Sequence, residues 1–235
     1  MKKTEVMALL KENQNERGIE NWKKLEAKSS GNLKSFGIGL TQLRKMAKGI
    51  GRDHKLAGQL FKSNVYDAKI LGLLVDEPKE MTREQVEDQV EDLSGGYLCH
   101  VFSSCGAPLA KAPFVVELAT EWVKSKHATR RRCGWGLMYE ISKMKTKKAP
   151  DDEFFLDLIG RVDKGMSKEK DMWVRESMNT ALMGMGMRNK KLNKVAIKAA
   201  KSMGPTNIDY GDDNSCEPLD VLKHIAKPSN QARLK

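Results

Sequence analysis

The sequence has no run approaching the roughly 20 continuous apolar residues of a membrane span, so no membrane helix is expected. Its opening, MKKTEVMALLKENQ, turns polar too soon for a secretory signal. Cysteine is sparse: Cys99, Cys105, Cys133 and Cys216 show neither CxxC spacing nor secretory context, and they read as cytoplasmic thiols. Cys99-His100 with Cys105 lacks the paired close spacing of zinc ligands, so no metal is expected. Alternating runs of Val, Ile, Thr and aromatic residues are missing, which argues against a sheet. The phosphate loop GxxxxGK[ST] is absent, and Gly184-Met185-Gly186 lies inside a helical pattern without the other glycines of a nucleotide fingerprint. Met183, Met185 and Met187 read as gap-filling side chains, and no cofactor is implied.

What is present is helical. The 235 residues are 40% hydrophobic and 31% charged, a globular balance with enough chain to bury a core. Apolar side chains recur at helical spacing in Leu40, Leu43, Ala47 and Ile50, in Val115, Leu118, Ala119 and Trp122, and in Phe155, Leu158, Ile159 and Val162. Asp53, Thr82 and Asp151 have the chemistry of N-caps; Gly31, Gly51, Gly165 and Gly204 that of stops. Pro78, Pro113, Pro150 and Pro205 mark segment edges. These signals predict about a dozen helices of roughly 10 to 18 residues on short connections. Each has a single apolar stripe, which suggests an all-α fold: antiparallel pairs stacked as an α-solenoid, curved with a concave basic face. No linker divides the chain, and a single domain over residues 1–235 is expected.

The charge is regional. Of the formal +11, residues 127–203 contribute 18 Lys+Arg against 9 Asp+Glu, and residues 1–52 contribute 12 against 5, while residues 53–126 are net acidic. Localised Lys and Arg release counterions from a polyanion, so the distribution points to nucleic acid over a merely soluble basic protein. The densest element is Arg130-Arg131-Arg132. The segment Lys143 to Lys148 adds Lys145, Lys147 and Lys148. Lys191, Lys194, Lys198 and Lys201 form a stripe at helical spacing, opposite an apolar face expected to hold Leu192, Val195, Ala199 and Met203. Residues 76–92 read as an exposed acidic helix surface that limits the basic region. The run Asp209 to Asn214 lacks calcium-loop spacing and reads as a turn-rich loop.

Three segments resemble the DNA alkylation repair family, the HEAT-like-repeat proteins related to the alkylpurine DNA glycosylase AlkD. They are GLTQLRKMAKGIGRDHKLAGQLFKSNVYDAKILGLLVDEP (39–78), RRRCGWGLM (130–138) and WVRESMNTALMGMGMRN (173–189). The resemblance covers most of residues 35–200. It implies a helical protein that cradles double-stranded or branched DNA and, in active members, excises positively charged N3- or N7-alkylated purines. Such a base is already a good leaving group, so the protein needs chiefly an anion beside the developing sugar cation. Aromatic faces to hold the nucleotide and an arginine for its phosphate complete the set.

The chain departs from that pattern at the expected pocket. Gly96 falls where the resemblance places tryptophan, His100 where it places the catalytic aspartate, and Thr180 where it places a second tryptophan. Arg132 is retained, with Arg131 beside it. Histidine supplies no fixed negative charge near neutral pH. Tyr97 and His100 remain the catalytic candidates. Three readings follow: a DNA-binding member with base excision weak or lost; an active alkylpurine glycosylase using Asp92, Tyr97 and His100; and a HEAT-like protein-interaction scaffold. The basic surface favours DNA binding, in the cytoplasm. Restoring all three positions (Gly96→Trp, His100→Asp, Thr180→Trp) is expected to raise excision, unless Gly96 has a positive φ.

Overall fold

A computed structural model describes residues 1–26, 32–93, 96–104, 106–210 and 217–234. Gly31, Cys105, Cys216 and residues 211–214 of the acidic loop lie outside them. The described residues contain fourteen α-helices, two short 3₁₀ turns and no β-strand, the nearest approach to a sheet being an isolated bridge between Lys34 and Val65. Several helices are shorter than the periodicity predicts. The six-residue helix Leu98–Ser103, for example, is preceded by Gly96 and followed by Gly106, both at positive φ. No helix among the described residues is long and apolar enough to cross a membrane. The chain divides into two compact units, Met1–Val115 and Val116–Lys235.

The first unit contains α1 (Lys3–Glu12), α2 (Glu16–Glu26), α3 (Leu40–Ile50), α4 (His54–Phe61), α5 (Tyr66–Val75), α6 (Arg83–Glu91) and α7 (Leu98–Ser103). Its centre is α5, against which α1, α3, α4 and α7 pack. Nine of its ten residues are buried, among them Ile70, Leu71 and Leu73, each apolar side chain contributing about 1.5–3 kcal/mol on burial. Helices α4 and α5 run antiparallel. A Cβ at Gly72 would lie 2.8 Å from the Ala57 carbonyl oxygen, so only glycine permits that approach. The buried Asp67 carboxylate accepts hydrogen bonds from the Ser35 hydroxyl (2.9 Å) and from the backbone N–H of Phe36 (2.7 Å) and Ile38 (3.0 Å), tying the segment before α3 to α5. Of the acidic surface expected over residues 76–92, α6 buries Val86, Gln89 and Val90 and leaves Glu84, Asp88 and Glu91 exposed.

The second unit contains all of α8 (Val115–Trp122) but its first residue, with α9 (Ala128–Ser142), α10 (Asp152–Gly165), α11 (Met172–Gly186), α12 (Lys190–Met203), α13 (Val221–Ala226) and α14 (Pro228–Gln231). Helices α9 and α11 are parallel neighbours. Arg132 meets Trp173 near their starts, and Gly184 faces Tyr139 and Ser142 near their ends. Helix α10 packs on α11 and α12, its start beside the start of α12 through Asp152–Asn189 and Glu153–Lys191, so α9 and α11 form one layer and α10 and α12 the other. Phe155, Leu158, Ile159 and Val162 of α10 are buried, as are Leu118, Ala119 and Trp122 of α8.

The side chains of Asp53, Thr82 and Asp151 each accept the expected capping hydrogen bond, from Leu56, Gln85 and Phe154 respectively. Gly51 and Gly204 terminate α3 and α12 at positive φ. One expected apolar position is corrected: Val195 is 37% exposed, and α12 buries Leu192, Asn193, Ala196, Ala199 and Ala200 in a stripe turned away from it.

Candidate nucleic-acid interface

The candidate residues fall into two groups, one in each unit. In the first unit, Gly96 precedes α7 with φ +51°, a conformation that L side chains avoid. A Cβ built there would lie 2.7 Å from the Tyr66 hydroxyl oxygen and 2.9 Å from the nearest ring carbon. Tyr66 is itself held in place. Its ring stacks on Trp22 at 4.1 Å between centroids, and its hydroxyl accepts the Tyr97 backbone N–H at 2.9 Å. Burial pushes the phenol's pKa well above its ordinary value, so it stays neutral throughout the physiological range. The space a tryptophan at 96 would need for its first side-chain carbon is therefore taken by an aromatic ring from α5.

Tyr97 is 56% exposed and stands 6.3 Å from the His100 ring, centroid to centroid. His100 lies on α7 at intermediate exposure. Asp92, the nearest preceding acid, has one carboxylate oxygen on the ammonium of Lys69. That lysine is buried, donates also to the Phe61 carbonyl (2.8 Å) and sits over the Phe61 ring. Asp92 thus pairs with a buried cation while its own side chain remains largely exposed. Cys99 beside His100 is buried, and among the described residues no three His, Cys, Asp or Glu side chains gather as a metal site.

In the second unit, the arginine run is not three equivalent charges. Arg131 donates through Nε and Nη2 to both oxygens of Glu169 (2.8 and 2.9 Å) and through Nη1 to the carbonyls of Ser125 (3.0 Å) and Lys126 (2.9 Å). Partial burial would raise the Glu169 pKa, but the Arg131 bonds and the backbone N–H groups of Asp171 and Lys170 outweigh it and hold it below the usual value. Arg131 therefore ties the start of α9 to the α10–α11 connection. Arg132 instead lies over the Trp173 ring, 4.9 Å from its centroid, and Trp173 in turn meets Tyr210. Thr180 sits two turns along α11 from Trp173 on the partly exposed face of that helix.

The lysines gather near the opposite end of α9. Lys145, Lys147 and Lys148 are exposed on the loop after it, whose start is fixed by Arg188 donating to the carbonyls of Ser142 and Met144. Burial lowers the Arg188 pKa, a shift that the nearby Asp152 opposes. Lys191 pairs with Glu153 at 2.8 Å across to α10, both side chains remaining largely exposed. Lys194 and Lys198 are exposed, and among the described residues they form no ion pair. At about 1.5 Å per residue, the length of α9 separates Arg132 from the lysine loop by about 16 Å. Sequence reasoning missed Trp173 as the partner of Arg132; its separation of 41 positions gave no local signal.

A sequence model of the family described as "DNA alkylation repair enzyme" matches residues 6–212. An uncharacterised protein of Listeria innocua is 26% identical over 201 residues, 85% of each chain. One of Listeria monocytogenes is 25% identical over 203 residues, 86% of each chain. Among solved structures, a protein described as one of "a new family of proteins related to the HEAT-like repeat DNA glycosylases with affinity for branched DNA structures" matches with a TM-score of 0.80 at 20% identity, covering 100% of this chain and 96% of the other. That likeness shows the fold, an α-solenoid of HEAT-like helical pairs.

Proposed function

The chain belongs to the DNA alkylation repair enzyme family, and from that membership we propose that it is a DNA-binding protein that recognises damaged or distorted DNA, with base excision weak or lost. The reading takes residues 1–235 as one domain with a concave basic face, working in the cytoplasm on double-stranded or branched DNA. Support for branched DNA comes from the affinity ascribed to the structural neighbour. Support for the binding surface comes from Arg132, Lys145, Lys147, Lys148, Lys194 and Lys198, whose charges are not taken up by ion pairs among the described residues. Lys191 joins them by exchanging Glu153 for a phosphate. Arg131 supports the surface by holding the start of α9.

The observation that carries the loss of excision is Gly96. Its positive φ and the Tyr66 ring beside it leave no place for a pocket-wall tryptophan. His100 offers no fixed anion, and Asp92 is engaged in an ion pair with Lys69. The surface is suited to reading backbone positions and duplex distortion, which needs phosphate contacts and no base pocket. The deciding experiment measures binding of a labelled duplex and a four-way junction across a salt series, beside release of N7-methylguanine and N3-methyladenine from treated DNA. Salt-sensitive binding with little or no release is expected; brisk release, or no DNA binding at all, would contradict the reading.

A further inference from the structure

The basic excess of residues 1–52 is not used by the interface above. Three of its cations, Arg44, Lys48 and Arg52, line one cleft of about 330 Å³ in the first unit, and no carboxylate is among the described residues lining it. Arg44 and Lys48 are one turn apart on α3, where like charges repel. Arg52 follows the Gly51 cap. Its Nη1 donates to the carbonyls of Leu74 (2.6 Å) and Asp76 (3.0 Å), which fixes the guanidinium and leaves its other edge for an acceptor. The end of a helix attracts cations by itself, and that accounts for Lys48 and Arg52.

It does not account for Arg44. That side chain rises from the middle of α3, and its Nε and Nη2 are shielded from solvent with no hydrogen-bond partner among the described residues. A partly desolvated guanidinium held beside two other cations is costly, and an anion in the cleft offsets that repulsion. With that edge turned into the protein, Nη1 is the donor that Arg44 offers the cleft. Gly51 and Gly106 also line the cleft and have open space where a Cβ would stand, so a ligand can approach the backbone there.

We propose that the Arg44–Lys48–Arg52 cleft binds a phosphate group, presented by the backbone of DNA. The assignment of DNA as the source rests on the function proposed above. The cleft is then a second point of attachment, in addition to Arg132 and the lysines of the second unit. Its contact fixes position on the strand and carries no base preference.

The full-length protein is titrated against a labelled duplex and a four-way junction over a potassium chloride series, as wild type, Arg44→Gln, Lys48→Gln and the control Lys79→Gln, with thermal unfolding of each. Arg44→Gln is expected to weaken binding roughly fivefold to tenfold at low salt and to reduce the log–log salt slope by about one unit, equally for both DNAs. Lys48→Gln should act in the same direction, which preserves the test if Arg44→Gln unfolds, and Lys79→Gln should match wild type. Wild-type affinity and slope in both cleft variants would overturn the inference while leaving the DNA-binding reading intact. If the wild type binds no DNA, that reading fails and a parallel arm decides the cleft. A rise in melting temperature with inorganic phosphate over chloride at equal ionic strength, lost in Arg44→Gln, would assign it to a free phosphate; no rise would overturn it.

Discussion

Tyr66 occupies the position into which a side chain at Gly96 would project: its hydroxyl oxygen lies 2.7 Å from the site of that Cβ and accepts the N–H of the next residue, Tyr97. The approach to α7 is thus shaped by an aromatic ring from α5 pressed against a glycine, and the two positions constrain each other.

Gly96→Ala should lower stability by about 1–3 kcal/mol, combining a positive φ with displacement of the Tyr66 ring. Urea unfolding of the two proteins measures it. Gly96→Trp should cost more and fail to build an aromatic wall, so the triple replacement expected from sequence to raise excision is a poor design. An unchanged urea midpoint for Gly96→Ala would show that Tyr66 moves aside freely.

His100→Asp, made with Gly96 retained, tests the missing anion by itself. A well-placed electrostatic stabiliser is worth roughly 3–4 kcal/mol in other enzymes, so the native protein should release N7-methylguanine slowly or not at all and the variant faster. Undiminished, rapid release by the native protein and by His100→Ala would remove position 100 from the chemistry.

Arg132→Glu should weaken DNA binding and flatten its salt dependence while leaving the far-ultraviolet circular dichroism unchanged, because Arg132 contributes a ring contact with Trp173 and no ion pair among the described residues. Arg131→Gln should do the opposite, lowering the melting temperature first, since it strips Glu169 of its partner.

Glu169 also predicts a pH response. Its folded-state pKa is depressed, so its stabilising contribution is complete above the unfolded value of about 4.3 and disappears as pH falls through the lower folded value. Stability should therefore decline on acidification below that range. Glu169→Gln should be less stable at neutral pH and show a shallower acid decline; parallel curves for the two proteins would contradict this.

The layout of helices was legible because each signal was local. Asp53, Thr82 and Asp151 are caps wherever they precede an apolar repeat, and the stripes of α8 and α10 bury the residues their spacing predicts. Asp171, Asn189 and Asp220 cap α11, α12 and α13 by the same chemistry. The departures that the family resemblance implies at Gly96, His100 and Thr180 rest on residue type alone, which a sequence does show. What the sequence did not contain was the state of each charge. Arg131 and Arg132 are adjacent and chemically identical, yet one is bound to a carboxylate 38 positions away and the other lies on an indole. The pairing of Lys69 with Asp92 and the convergence of Arg44 with Arg52 likewise depend on packing that no spacing rule supplies.

The Asp67 carboxylate gives an irregular stretch of chain a protection that loops ordinarily lack. Phe36 and Ile38 lie outside any helix, where amide protons ordinarily exchange with water through small local openings. Their N–H groups end on a buried side chain of α5, so those protons are released when the segment parts from α5. In deuterated solvent these two amides should exchange more slowly than unbonded loop amides, making them reporters of that contact from a segment that looks like a loop.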